Sequence, residues 1–533
     1  MSSAAASLVR PAAREVPYDP PVTTVVGATL VVGLEIHVEL ATRTKAFTRA
    51  PSPARPGAPD AEPNTLIDPV VLGLPGALPV LNRTAVEMAI RVGLALNCAI
   101  APRPRWDRKS YFYPDLPKNY QISQYDRPLC SGGALDLPDP SDPEGKPPRR
   151  IGILRAHLEE DAGKLLHEWP GGAPIDFSIV DLNRAGTPLL EIVTAPDFRA
   201  ADEVVAFAQQ VRSICRFLGA SEGVLQKGHM RFEPNINTLL TLSDGRRVAT
   251  PITEVKNLNS FRALRGAIEH EFVQQPRRFL EDGRSLGPAT KSTRGWDDQR
   301  GVTVLQREKE DAHDYRYFPD PDLLPVEVAE PWLASLRAAL PELPAARARR
   351  YRDAFALGAK EAAALVEERD DCLFFEACLA LLDDPDGPRR EALGRVAANL
   401  VLQSGFKRAN GRGVPVHALG VAPAQLAGIA LLRHANALSA AAADELFGTL
   451  CESTETADEA AARLGLLQVT DAGALEAWVD QTLADPDLAR AAADVRQGKD
   501  AAIGRLVGAA MKRSGGTGDA KALRELLLRR LRG

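Results

Sequence analysis

The feature that most constrains this chain is a change of hydrophobic period near Pro325. Before it, apolar residues recur at every second position. In "VVGLEIHVEL" (31–40) Leu34, Ile36, Val38 and Leu40 share one face, and Glu35, His37 and Glu39 share the other. "RIGILRAHLEE" (150–160) and "TPLLEIVT" (187–194) read as strands too, while 84–97 and 201–220 carry a helical period. After "LLPVEVAEPWLASLRAALPELP" the composition turns to Ala, Leu, Arg and Glu at helical spacing. The pattern predicts an α+β chain: a mixed, largely antiparallel sheet with helices, then an all-helical domain and a small helical tail. The expected divisions are an N-terminal extension over 1–28, a sheet domain over 29–325, a helical domain over 326–466 and a tail over 467–533.

Bulk properties exclude some functions. A net charge of −5 over 533 residues argues against a surface that grips nucleic acid throughout, though a local basic patch stays open. No run reaches the ~18 apolar residues of a membrane span. The six cysteines form no CxxC pair, which suggests reduced thiols and a cytoplasmic setting.

Three strands carry carboxylates in unexpected places. The polar face of "GLEIHVEL" is either a solvated acidic edge or a metal-site wall, since carboxylate oxygens and imidazole nitrogens both bind divalent ions. Glu160 follows Leu154, Ala156 and Leu158 on an apolar face if its strand persists, and otherwise swings into solvent. Glu191 lies between Leu190 and Ile192 in a run that looks buried on both faces, with Arg184 available as a salt-bridge partner. Together Glu35, His37, Glu160 and Glu191 form an oxygen-rich set that suits Mg²⁺ better than structural zinc. Only a fold that unites three strands would assemble it.

Six of the eight tyrosines fall in two clusters. "RPRWDRKSYFYPDLPKNYQISQYDRP" (103–128) interleaves aromatics with Arg103, Arg105, Arg108, Lys109 and Lys118, a mixture suited to stacking a base and pairing phosphates. A Pro-anchored loop with solvated hydroxyls would read the same way. "REKEDAHDYRYFPDPDLLPV" (307–326) is the second cluster. No GxxxxGK[ST] occurs, so any use of ATP proceeds without a P-loop.

Taken together, "GLEIHVEL", "DRKSYFYPDLPKNYQISQYD", "HLEEDAGK", "DLNRAGTPLLEIV", "TEVKNLNSFR", "TRGWDD" and "DYRYFPDPDLLPV" resemble the B-subunit family of the tRNA-dependent amidotransferases that make Gln-tRNA and Asn-tRNA. "VRQGKDAAIGRLVGAAMKRSGG" is similar to the family's tail. The resemblance runs in order from about residue 29 to the end. It implies a cradle-shaped catalytic domain, a helical domain and a mobile helical tail that touches tRNA. It also implies a glutamine-dependent carbon–nitrogen ligase of translation. Mg-ATP phosphorylates the side-chain carboxylate of Glu-tRNA(Gln) or Asp-tRNA(Asn), and ammonia then displaces phosphate. A separate amidase (the A subunit) would supply the ammonia, and a small third protein (the C subunit) would complete a heterotrimer. By the same resemblance the metal is held at Glu35, His37, Glu160 and Glu191. Lys109 and Glu160 lie at the reaction centre, Tyr111, Tyr113 and Lys118 meet the substrate, and Lys499, Lys512 and Arg513 meet tRNA phosphates. A stand-alone small-molecule ligase and a binding-only protein are the competing readings; the tail argues against the first and the intact carboxylates against the second.

The chain departs from the family pattern in two places. Many members carry cysteine pairs for zinc where Thr48, Ala50, Asp68 and Val71 stand here, so no structural zinc is expected. "MRFEPNIN" (230–237) differs from the family's usual "RCDANVS", keeping Arg231 and Asn235.

Overall fold

The computed structural model describes residues 24–532 except 58–59, 139–146, 170–171, 288–289, 309–314, 383–386 and 470. Most of the N-terminal extension, residues 1–23, lies outside the described residues. The chain divides into two compact units, one running to Leu343 and the other starting at Pro344.

The first unit is built on a 10-stranded sheet. Its strands are β1 (Val25–Glu39), β2 (Ala99–Ile100), β3 (Cys130–Leu137), β4 (Arg149–Glu160), β5 (Pro188–Thr194), β6 (Met230–Leu242), β7 (Thr253–Lys256), β8 (Ser292–Asp297) and β9 (Val302–Glu308). They lie in the order β9-β8-β7-β6-β1-β5-β4-β3-β2, with Arg247–Ala249 beside β6. Only β7 and β8 pair in parallel; the other ladders are antiparallel, as the short alternating segments predict.

One face of this sheet is the core. Val32, Leu34, Ile36 and Val38 of β1, Ala156 and Leu158 of β4, and Leu190 and Ile192 of β5 all point to it. They are covered by α1 (Arg83–Ala95), α2 (Ala201–Phe217) and α3 (Phe261–Asp282). The fully buried Ile36 and Leu190 contribute roughly 2 kcal/mol each on removal from water. Side chains alternate, so this packing forces Glu35, His37, Glu39 and Glu191 onto the opposite face. The helix α4 (Glu330–Ala338) packs Leu336, Trp332 and Leu333 on the same core, so the unit extends beyond Pro325.

A three-stranded sheet (Phe318–Pro319, Asp107–Ser110, Tyr120–Ser123) stands at one end of β4 and joins the two aromatic clusters. In the second unit, the helices Ala472–Leu483, Ile503–Arg513 and Ala520–Arg532 close around Leu475, Val479, Leu506, Leu523 and Leu527, a core of the tail's own. No helix among the described residues is long and apolar enough to cross a membrane.

Candidate metal centre

The polar face of the sheet is organised in rows by register. His37 on β1 stands opposite Arg231 on β6 and Glu191 on β5, and Glu191 stands opposite His157 on β4. Glu35 stands opposite Glu233 in the next row. His37 Nε2 lies 3.5 Å from Glu191 Oε2, and His157 Nε2 lies 3.6 Å from the same oxygen. Glu159, two residues beyond His157 on one face of β4, brings its Oε2 to 3.6 Å from His157 Nε2 and accepts a 2.9 Å hydrogen bond from Ser123 Oγ.

His37, Glu159 and Glu191 offer ligand atoms within 4.8 Å of one another. The Nδ1 atoms of His37 and His157 are buried without a hydrogen-bond partner. Two carboxylates and one imidazole form a donor set that fits a hard divalent ion such as Mg²⁺. Burial opposes a charged His37, but contact with Glu191 and the field of Glu233 outweigh it and lift the imidazole to about 9. Burial also opposes charge on Glu191, yet His157, His37 and Arg155 hold its carboxyl well below the usual carboxylate range. An ion entering this group would have to displace the His37 proton.

A second trio, Glu35, Glu233 and Glu254, is also within 4.8 Å. Lys256 Nζ already sits between two of its members, 2.7 Å from Glu233 and 3.1 Å from Glu254, and Lys291 Nζ lies 3.4 Å from Glu254. Asn235 Nδ2 donates to Glu35 at 2.9 Å. Resident ammonium groups balance this trio; in the His37 group the His37 imidazole takes that part. Burial and the neighbouring Glu191 push the Glu35 carboxyl up.

Of the four residues expected to hold the metal, Glu35, His37 and Glu191 share the polar face and Glu160 does not. The strand does persist to Glu160, and alternation then turns this residue toward the core side. There its carboxylate meets the Lys118 ammonium and accepts a 2.9 Å hydrogen bond from the Ile122 N–H. Glu159 completes the His37–Glu191 group instead. Leu154 is also turned out, 54% exposed, because the β4–β5 register shifts between Ile153 and Arg155. Arg184 is not the partner of Glu191: it donates to the carbonyls of Ala162 and Gly163 and lies 3.6 Å from Asp161.

The other expected residues make contacts of their own. Lys109 Nζ sits 4.9 Å from the centre of the Tyr315 ring. The Tyr111 hydroxyl donates to Asp115 at 3.5 Å, while Tyr113 is exposed. In the tail Lys499 pairs with Asp494 at 2.9 Å, Arg513 pairs with Asp485, and Lys512 is exposed. Thr48 donates to Asp68, while Ala50 and Val71 pack with Leu182 and Ala185.

Sequence reading missed His157, Glu159, Glu233, Glu254, Lys256 and Asp161. Buried Asp161 takes a 2.8 Å hydrogen bond from Arg231, and the Arg231 and Arg184 cations outweigh burial to hold it low. Beside it Glu39 is pushed up to about 8, by burial and by the Asp161 charge. Alternation within "RAHLEE" does place His157 and Glu159 on one face; which face meets Glu191 depends on the β4–β5 register.

Comparison with known proteins adds an independent line. A family model described as the GatB/GatE catalytic domain matches residues 30–334, and one described as the GatB domain matches residues 389–531. The chain is 44% identical over 497 residues to the B subunit of the aspartyl/glutamyl-tRNA(Asn/Gln) amidotransferase of Thermomicrobium roseum, covering 93% of this chain and 97% of that protein. It is 41% identical over 503 residues to the protein of the same name from Moorella thermoacetica, covering 94% and 99%. With the Geotalea daltonii protein of that name it shares 42% over 506 residues, covering 94% and 99%.

Proposed function

The chain belongs to the B-subunit family of the aspartyl/glutamyl-tRNA(Asn/Gln) amidotransferases, and from that premise we propose that it activates and amidates the side-chain carboxylate of Glu-tRNA(Gln), Asp-tRNA(Asn) or both. It is thus the tRNA-handling part of a glutamine-dependent carbon–nitrogen ligase. Its partners are the amidase (the A subunit) and the small third protein (the C subunit), and the cytoplasm is its site of action.

A carboxylate resists attack by ammonia because its oxygen is a poor leaving group. Phosphorylation by ATP supplies a better one, and the transferred group needs charge neutralisation and positioning more than covalent help. The observation that carries this reading is the row His37–Glu191–His157 with Glu159, assembled from three strands into a hard-ligand set. His37, Glu159 and Glu191 would hold Mg²⁺, and Glu35 would border it. Bound there, the ion would supply positive charge to the phosphates. The chain's own groups do the rest: His37 gives up its proton on loading, and Glu191 keeps its charge at neutral pH. Lys109 adds a cation beside the aromatic stretch. Lys118 fixes Glu160 at the end of β4, in the same segment as Tyr111 and Tyr113. In the tail, Lys499, Lys512 and Arg513 would exchange their present surroundings for tRNA phosphates, since surface pairs such as Lys499–Asp494 hold little.

The test bypasses the amidase. The complex co-purified with its amidase receives Mg-ATP, ammonium chloride and either Glu-tRNA(Gln) or Asp-tRNA(Asn). ADP release and amide on the tRNA are measured, with Glu191→Ala as control. Amide that disappears in the variant supports both reaction and centre, and its tRNA dependence identifies the substrate. A folded complex that forms neither ADP nor amide refutes the assignment.

A further inference from the structure

The two aromatic clusters, nearly 200 residues apart, meet in one stack. Pairing of Phe318–Pro319 with Asp107–Arg108 brings Tyr317 onto Tyr125, with ring planes 12° apart and centres 4.5 Å apart. Tyr315 meets Tyr317 edge-on at 6.2 Å, and Lys109 Nζ lies beyond it. The stack stands beside the candidate metal centre, since Ser123, two residues before Tyr125, donates to Glu159 Oε2 at 2.9 Å. The outer end is open, because Tyr125 is 63% exposed.

The backbone that carries the outer ring is also held. The Tyr125 N–H donates to Asp107 Oδ2 at 3.2 Å, and buried Asp107 is pinned by Arg105 Nε at 3.1 Å. A flat, pre-positioned ring binds another flat ring without the entropy loss of ordering a loop. Half-buried Tyr111 and exposed Tyr113 offer no such surface, since their planes are tilted by 32°.

We propose that the outer face of Tyr125 is a stacking platform for an adenine base. The inference rests on the function proposed above, which brings two adenines to this centre: that of ATP and the terminal adenosine of the charged tRNA. An adenine in van der Waals contact with Tyr125 lies roughly 8 Å from the Tyr317 ring centre. From there a triphosphate, or a terminal ribose with its aminoacyl group, would run along the stack toward the carboxylates. Arg155, 3.8 Å from Glu191, supplies a cation at the carboxylate end of that span. Stacking on tyrosine tolerates any base, so the assignment to adenine follows from the substrates rather than from hydrogen-bond readout.

The experiment uses the intact complex with Tyr125→Leu and Tyr125→Phe. One arm titrates Mg-ATP without tRNA by calorimetry. The other measures binding of Glu-tRNA(Gln) against tRNA(Gln) lacking its terminal adenosine. Loss of one stacked base weakens binding about tenfold. Tyr125→Leu is expected to lose this much in one arm, while Tyr125→Phe stays within about twofold. A change in the ATP arm identifies the nucleotide; a change confined to tRNA with a complete end identifies the terminal adenosine. Wild-type binding of both ligands, with Tyr125→Leu unaffected in both arms or Tyr125→Phe as impaired as Tyr125→Leu, overturns the platform alone. A wild-type complex that binds neither ligand overturns the functional reading, and the platform with it.

Discussion

Lys45 gives the sharpest test of the electrostatics around Glu160. The side chain has no exposed surface, and its Nζ donates to the carbonyls of Ala185 at 2.7 Å and Leu182 at 3.3 Å. Burial lowers the ammonium to about 8, against the partial support of Asp68, Glu160 and Asp181. An unfolded lysine titrates near ~10.4. Between these values the unfolded chain holds a proton that the folded chain has released, so stability rises with pH across that window. The slope approaches ~1.4 kcal/mol per pH unit, and from pH 7 to pH 9.5 the gain integrates to about 2 kcal/mol. Other groups also titrate there, so the comparison is with Lys45→Met, which lacks this proton. Its stability is offset by the two carbonyls left unpaired, but that offset does not change with pH. Urea unfolding of the first unit, followed for both proteins from pH 7 to 9.5, should show the difference in free energy widening by about 2 kcal/mol in favour of wild type. Parallel curves, with a difference flat to within about 0.5 kcal/mol, would refute the reasoning.

Three further outcomes are expected. Gly93→Ala adds a methyl that runs into the Cys130 Sγ; overpacking of ~1–3 kcal/mol should outweigh the ~1 kcal/mol gain in helix propensity, lowering Tm, and Cys130→Ala should restore it. Lys118→Met strands the buried Glu160 carboxylate, and chemical denaturation should show a loss of ~3–5 kcal/mol, much of it recovered in Lys118→Met/Glu160→Gln. Glu191→Gln removes a charged ligand, so Mn²⁺ titrated by calorimetry should bind at least tenfold more weakly.

Much of the architecture was legible because it rests on local periodicity. The alternation of "GLEIHVEL" predicts β1 and its two faces, and the structure buries Leu34, Ile36 and Val38 as that pattern requires. The helical periods of 84–97 and 201–220 recur as α1 and α2, and the tail closes its own core. Part of the centre was legible for the same reason: a polar residue at a position of fixed parity must leave the core face with its neighbours. The shared face of Glu35 and His37 therefore follows from sequence, whereas Glu191 joins it through strand pairing.

The remainder depends on which strands pair, and at what register. "HLEED" offers two adjacent carboxylates of opposite parity, and nothing local says which faces Glu191. The β4–β5 register puts Glu159 beside His37 and sends Glu160 to Lys118. Lys256 and Glu233 meet only because β6 and β7 are neighbours, and Tyr125 meets Tyr317 only through the small sheet. Sequence by itself determined the elements, their faces and the family, since those depend on nearest neighbours along the chain. The tertiary structure alone decided which carboxylates share a cation and which rings stack, because contacts between residues tens to nearly two hundred positions apart are set by strand order and register, to which local periodicity is blind.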